Sequence, residues 1–424
     1  MNQFTYFILI ATLAAGSAVN ASESPAASTD WPQWRGPQRN GISDESDWTV
    51  KWGKDGPKVL WTASAGTGYA SFAVSHGRVY TMGNQKGEDI VWCLDAASGK
   101  EIWHYAYACE LEPNSHAGGP GSTPAVDGDC VYTMSKRAQI HCLDAATGKV
   151  KWAKNAVADF GATKPQWAFS SAPLIVGDTL LLNCFASGLA LNKATGDVLW
   201  KGTGTSGYAS PVLFKIKNGT GAAFFGKEAL FGVTIADGKV LWEIGWKTNW
   251  GENTPDPIVL DDLIYLSSGH GLGAASYKLS EDAKPALVWE NKALGNHISS
   301  PVLKDGNLYG FSGLVHRKPT AEKPNYLSCV DFKTGKEKWR LPDMLGQIMM
   351  AGGRLIMMTT EGELIVSETS PEKYTELGRA KVLESKPAEG KGGAKKCWTV
   401  PVLSGGRIYC RNANGDVVCL DASK

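Results

Sequence analysis

The chain has 424 residues, 20% charged and 43% apolar, with 43 basic against 42 acidic residues and a formal net charge of +1. That composition excludes a disordered or collagen-like chain, and the near-neutral balance removes the electrostatic footprint of a nucleic-acid binder. Forty-nine glycines and sixteen tryptophans point instead to many turns and a recurring aromatic, and so to repeated short strands.

From Phe4 to Val19 the chain is apolar or small and uncharged, and Val19-Asn20-Ala21 offers the small-x-small pattern of a cleavage site. Residues 1–21 therefore read as a secretory signal peptide, although no Lys or Arg precedes Arg35. The run falls short of the ~20 apolar residues that a spanning helix needs. Because the first cysteine is Cys93, no lipid-acceptor cysteine follows the signal. The expectation is a periplasmic or secreted protein, a monomer, with no membrane span once the signal is removed. Residues 22–57 read as an extension that packs on the folded body.

A repeat dominates the rest of the chain. Asp95-Ala96-Ala97-Ser98-Gly99-Lys100-Glu101-Ile102-Trp103 recurs as Asp144 to Trp152, Asn192 to Trp200, Ala236 to Trp242 and Asp331 to Trp339, and Trp289 closes a divergent copy. Successive tryptophans lie 49, 48, 42, 47 and 50 residues apart, a period that belongs to arrays and propellers. Each unit opens near a proline (Pro124, Pro173, Pro211, Pro257, Pro301 and Pro401, with Tyr69 and Met350 as the openings of the first and seventh). Each opening leads into alternating strands joined by Asp-Gly-type turns. Residues 58–424 divide into eight units of about 46 residues. The last unit stops after its third strand at Cys419-Leu420-Asp421, while an unpaired strand, Lys58-Val59-Leu60-Trp61, precedes the first. Joining the two removes a sheet edge. The fold class is therefore all-β: an eight-bladed β-propeller over residues 58–424 with four-stranded antiparallel blades, its ring closed by an N-terminal strand. Trp103, Trp152, Trp200, Trp242, Trp289 and Trp339 take the structural role of wedges between blades.

The Cys/Ala-Leu-Asp-Ala-x-Thr-Gly-x-x-x-Trp element resembles the tryptophan-docking motif of the pyrroloquinoline-quinone (PQQ) repeat, quinoprotein alcohol dehydrogenase-like propeller superfamily. That superfamily also holds the BamB-like scaffold of outer-membrane assembly. The leader Trp31-Pro32-Gln33-Trp34-Arg35-Gly36-Pro37 and the stretch Tyr374 to Leu383 resemble exported propellers of this type from planctomycete-like bacteria. The quinoprotein branch implies a pair of adjacent cysteines over the quinone and a calcium site of Glu, Asn and Asp. This chain has no adjacent cysteine pair, no CxxC spacing and no CxxCH haem motif among its nine cysteines. No cofactor is therefore expected, PQQ with calcium being the alternative. No catalytic residue is assigned and no metal site is expected.

In a propeller, the loops entering the innermost strands surround the central channel. Reading back from each opening selects Tyr69, His116, Trp167, Tyr208, Trp250, Glu252, Asn253, His297 and Trp398 as candidates for a ligand or partner. Lys386 to Lys396 is a low-complexity basic loop between the last two units. The reading is a non-catalytic scaffold of the cell envelope that binds a protein, an extended peptide or a small ligand in the channel. The alternative is a PQQ-dependent oxidoreductase with a divergent active site.

Overall fold

A computed structural model describes residues 1 and 29–424, apart from 115, 218, 281–283, 316–318, 322–323 and 386–396. The expected signal segment and the basic loop after Ser385 lie outside the described residues. The chain is an eight-bladed β-propeller, each blade a four-stranded antiparallel sheet. The innermost strands are Ala73–Ser75, Ala125–Asp127, Leu174–Val176, Val212–Ile216, Ile258–Leu260, Val302–Lys304, Gly346–Ala351 and Val402–Ser404. Six begin directly after the proline that marks them in the sequence. The first begins four residues after Tyr69, and Met350 lies inside the seventh rather than at its start. The ring closes where Val59–Ser64 pairs antiparallel with Asp416–Asp421 as the outer strand of the eighth blade, Trp61 opposite Cys419.

Middle strands are buried on both faces, as in Arg78–Gln85 and Arg354–Thr359, because each blade is sandwiched between two others. Outer strands alternate instead. Glu101–Ala108 buries Trp103 and Tyr107, half-buries Tyr105 between them and exposes His104 and Ala106. The tryptophan of each outer strand reaches the next blade. Trp103 donates its indole N–H to the Ala145 carbonyl at 3.0 Å, Trp152 to Lys193 at 2.9 Å and Trp289 to Phe332 at 2.9 Å. Trp61 closes the cycle by donating to Ala96 of the first blade at 3.1 Å. The ring lies on the turn glycine of that next blade. Gly148 has φ +72°, and a Cβ there would sit 2.6 Å from the Trp103 ring. Gly99, Gly196, Gly238 and Gly335 meet Trp61, Trp152, Trp200 and Trp289 in the same way. The repeat's glycine thus serves the preceding blade's tryptophan, and any side chain would collide with it. Trp242 packs against Ile264, Leu266 and Ala275 of the fifth blade. Cys93, Cys142, Cys329 and Cys419 are fully buried in third strands.

The seventh blade breaks the pattern. In its outer strand Glu376–Lys381, Gly378 pairs with Val366 at the register position that holds tryptophan elsewhere. Trp52 of the leader fills the space, its ring 3.3 Å from where a Gly378 Cβ would lie.

The leader also enters the channel and touches all eight blades. Trp31 bridges to Val74, and the Pro32 carbonyl accepts from Val126 N–H. Arg39 donates to the carbonyls of Pro173 and Pro211, Arg35 to that of Pro301 at 2.8 Å, and Trp34 to Asp256 at 2.6 Å. Ile42–Ser43 adds a short parallel strand to Gly346–Ala351, and the Glu45 carboxylate accepts the N–H groups of Gly405 and Gly406. The buried Arg35 stands 3.9 Å from Asp256. Burial pushes the Asp256 carboxyl up, opposed by the charges of Arg35 and Arg39.

Replacing Trp152 by Ala is expected to cost about 3–5 kcal/mol, the usual range for deleting a buried tryptophan. Trp52→Ala should cost about 3 kcal/mol although it lies outside the repeats. Thermal melts of both variants check this; an unchanged midpoint for Trp52→Ala would show that the seventh blade needs no wedge.

Candidate functional site

Because the leader fills one end of the channel, the other end is a cup with a single mouth and a volume of about 220 Å³. Its wall carries Tyr69, His116, Trp167, Tyr208, Glu252, His297 and Trp398, all selected from the sequence. Trp34 of the leader, Phe169, Lys136, Asp256 and Gln347 join them. Two selected residues lie elsewhere. Trp250 projects to solvent, 54% exposed, because the turn around Gly251 directs it away from the channel. Asn253 is fully buried, its amide donating to the carbonyls of Gly226, Lys227 and Trp246 and its oxygen accepting from Ser268 Oγ. It is a strut that pins the loop, with no atom free for a ligand.

The aromatic rings are held in pairs. Tyr69 stacks on Trp398 at 5.4 Å and 22° and meets the edge of His116 at 5.9 Å. Trp167 lies edge-on to Tyr208 at 6.0 Å, and the Tyr208 hydroxyl accepts its backbone N–H at 3.2 Å. Such rings present apolar faces at little entropic cost.

Cup hydroxyls serve the scaffold. Thr123 accepts from Ser71 N–H, Ser210 from Ala172 N–H and Ser300 from Asp256 N–H, while Ser170 donates to the Tyr208 carbonyl. None is poised beside a base as an activated nucleophile would be.

The titratable groups fall in two sets. His116 Nδ1 accepts from Gly118 N–H at 2.9 Å, which places the proton of the neutral ring on Nε2. Burial, helped by the charge of Lys136, lowers its pKa to about 4. Lys136 is itself buried and donates to the Gly118 carbonyl. In the second set, Glu252 Oε2 bonds His270 Nε2 and lies 3.3 Å from His297 Nε2. Burial alone would raise the Glu252 carboxyl, but the hydrogen bonds and charges of the two imidazoles hold it at about 2.

Sequence reading missed His270 and Lys136. Both lie in turns between the second and third strands of a blade, after Leu263–Ser268 and Cys130–Met134 respectively. Those turns emerge on the same face as the connections between blades. The signal available was topological: a polar residue in any second-to-third turn lies near the channel mouth.

A family model described as outer membrane protein assembly factor BamB matches residues 87–341. The chain belongs to this family. Outer membrane protein assembly factor BamB of Yersinia pestis is 24% identical over 240 residues, covering 51% of this chain and 57% of that protein. The chain therefore matches little more than half the length of that relative. The structure of BamB from Moraxella catarrhalis superimposes with a TM-score of 0.60 at 15% identity, covering 86% of this chain and 97% of that one. Quinohemoprotein alcohol dehydrogenase from Comamonas testosteroni gives 0.67 at 14% identity over 93% and 81%. At such identities these likenesses establish the fold. No helix among the described residues is long and apolar enough to cross a membrane.

The quinone–calcium pair of the dehydrogenase branch does not fit the residues present. Calcium takes six to eight oxygen ligands, yet Glu252 is flanked by two imidazole nitrogens. Asp256 is engaged by Trp34, Ser210 N–H and Arg35. No cysteine is among the described cup residues.

The depressed pKa of His116 makes a pH prediction. The unfolded chain takes up this proton near pH 6.5 and the folded chain only near pH 4, so stability present above pH 6.5 is lost as pH falls toward 4. The loss assignable to this ring is about 3 kcal/mol. Denaturation of wild type and His116→Gln at pH 7.5 and 4.5 should show a smaller acid loss in the variant; equal losses would refute the assignment.

Proposed function

We propose that this protein is a non-catalytic scaffold of the cell envelope that receives an extended peptide segment of a partner protein in its aromatic cup. The supporting observation is the one-ended chamber itself: paired rings give apolar contact, and a few directed polar groups remain to orient a backbone. Engagement of the wall hydroxyls in the scaffold favours binding over acyl or glycosyl chemistry. Family membership supports an envelope location and a protein as the partner.

A second apolar feature fits the same role. On the outer strands of three successive blades, Val198, Leu199, Val240, Leu241, Leu287 and Val288 are all exposed. Edge strands of this kind accept an added strand from a partner.

The test is fluorescence anisotropy of labelled extended peptides, taken from strands of outer-membrane β-barrel proteins, with the full chain. Tyr208→Ala and Trp398→Ala should weaken binding ~10–100-fold, the loss typical of a buried aromatic anchor. Trp250→Ala, outside the cup, should leave it unchanged. Binding that tolerates both cup variants, or no binding at all, would overturn the proposal.

A further inference from the structure

We infer that Glu252, His270 and His297 form a site for one divalent first-row transition ion at the wall of the cup. Their donor atoms converge within 4.8 Å of one another. The side chains are only 13%, 11% and 6% exposed. Three separate loops deliver them: the entry to the fifth blade brings Glu252, that blade's second turn His270, and the entry to the sixth His297. Convergence of chemistry from three loops onto one point is not produced by the repeat, whose equivalent positions elsewhere carry other residues.

The donor set is specific. Two imidazole nitrogens and one carboxylate oxygen are the protein ligands of open zinc sites and of facial-triad metal sites. Ligands about 2.0–2.1 Å from a tetrahedral ion lie roughly 3.3 Å from each other, and Glu252 Oε2 stands 3.3 Å from His297 Nε2. The two imidazole planes are perpendicular, with centroids 5.2 Å apart. One carboxylate and two imidazoles give a bound ion one anionic and two neutral ligands.

The supporting shell is built to match. Asn253, next to Glu252, accepts from Ser268 Oγ at 3.0 Å, which ties the Glu252 loop to the strand leading into His270. Trp246 donates to that same Ser268 Oγ. Gly269 lets His297 approach: a Cβ there would lie 3.1 Å from the His297 Cβ. His270 itself has φ +57°, a strained backbone that persists only where surroundings enforce it. Glu252 and His297 both face the cup, so the remaining coordination positions of the ion open into it and can take an oxygen or nitrogen from whatever occupies the chamber. The site stands whether or not a peptide binds there.

The test uses the untagged full chain, stripped with chelator and titrated with cobalt(II), then zinc(II). One equivalent of cobalt should give a visible absorption band that one equivalent of zinc abolishes, and zinc should raise the melting temperature. Glu252→Gln and His270→Ala should each weaken cobalt binding ~100-fold or more, since loss of a direct ligand exceeds the 10–100-fold cost of an outer-shell change. His104→Ala, an exposed histidine paired with Glu101 on an outer strand, should bind as wild type does. Circular dichroism of the isosteric Glu252→Gln variant separates loss of the ligand from loss of the fold. Folded wild-type protein that takes up no stoichiometric cobalt, or a folded Glu252→Gln variant that binds as tightly as wild type, would overturn the inference.

Discussion

A four-stranded blade is too small to bury both its faces, and everything else in this molecule depends on how one blade is fastened to the next. The fastener is an indole laid flat on a backbone turn, with its single N–H bonded to a carbonyl of that turn. The arrangement requires a bare glycine beneath the ring, and the turn glycines across the ring obey that requirement. Most blades both give and receive such a contact, and the constraint closes on itself only where Trp61 of the last blade meets the first. The break at Gly378 shows how firm the rule is. Where the repeat lacks its aromatic, a tryptophan from outside the repeats lies in the vacant space.

Closure alone would leave an open channel. The leader turns that channel into a vessel, and it does so with charge as well as bulk. Arg35, Arg39 and Asp256 are arranged so that the guanidinium groups also satisfy carbonyls at the head of the inner strands. Those carbonyls would otherwise face the channel without partners, since an innermost strand has no neighbour on its inner side. The leader therefore supplies the hydrogen bonds that an inner strand lacks, and its Trp34 becomes part of the cup.

The fold was legible because its signals are local. The 42–50 residue spacing, the Asp-Gly turns and the orphan strand before the first unit are each readable within a few residues. Candidates such as Tyr69 and Trp398 were legible for a related reason: the connection into an inner strand must pass the channel mouth. The course of the leader was not, because contact between Arg35 and Pro301 spans 266 residues and leaves no periodic trace. Trp250 and Asn253 were misplaced because a tight turn at Gly251 alternates which side chains face the channel, and sequence does not display that phase. His270 escaped notice because it belongs to the interior of a blade's repeat, where turn residues read as punctuation. Once placed opposite Glu252, it changes the meaning of His297 as well.

The leader's reach fixes when the vessel can exist. Residues 31–45 must find partners scattered from Val74 to Gly406, and the outer strand of the last blade comes from the beginning of the chain. Such long closures are the slow events of folding. Blades can therefore gain local structure as the chain emerges, yet the floor is assembled only after the final strand has been delivered. A nascent or shortened chain holds aromatic rings but no chamber. Completion of the ring and completion of the chamber are therefore a single event.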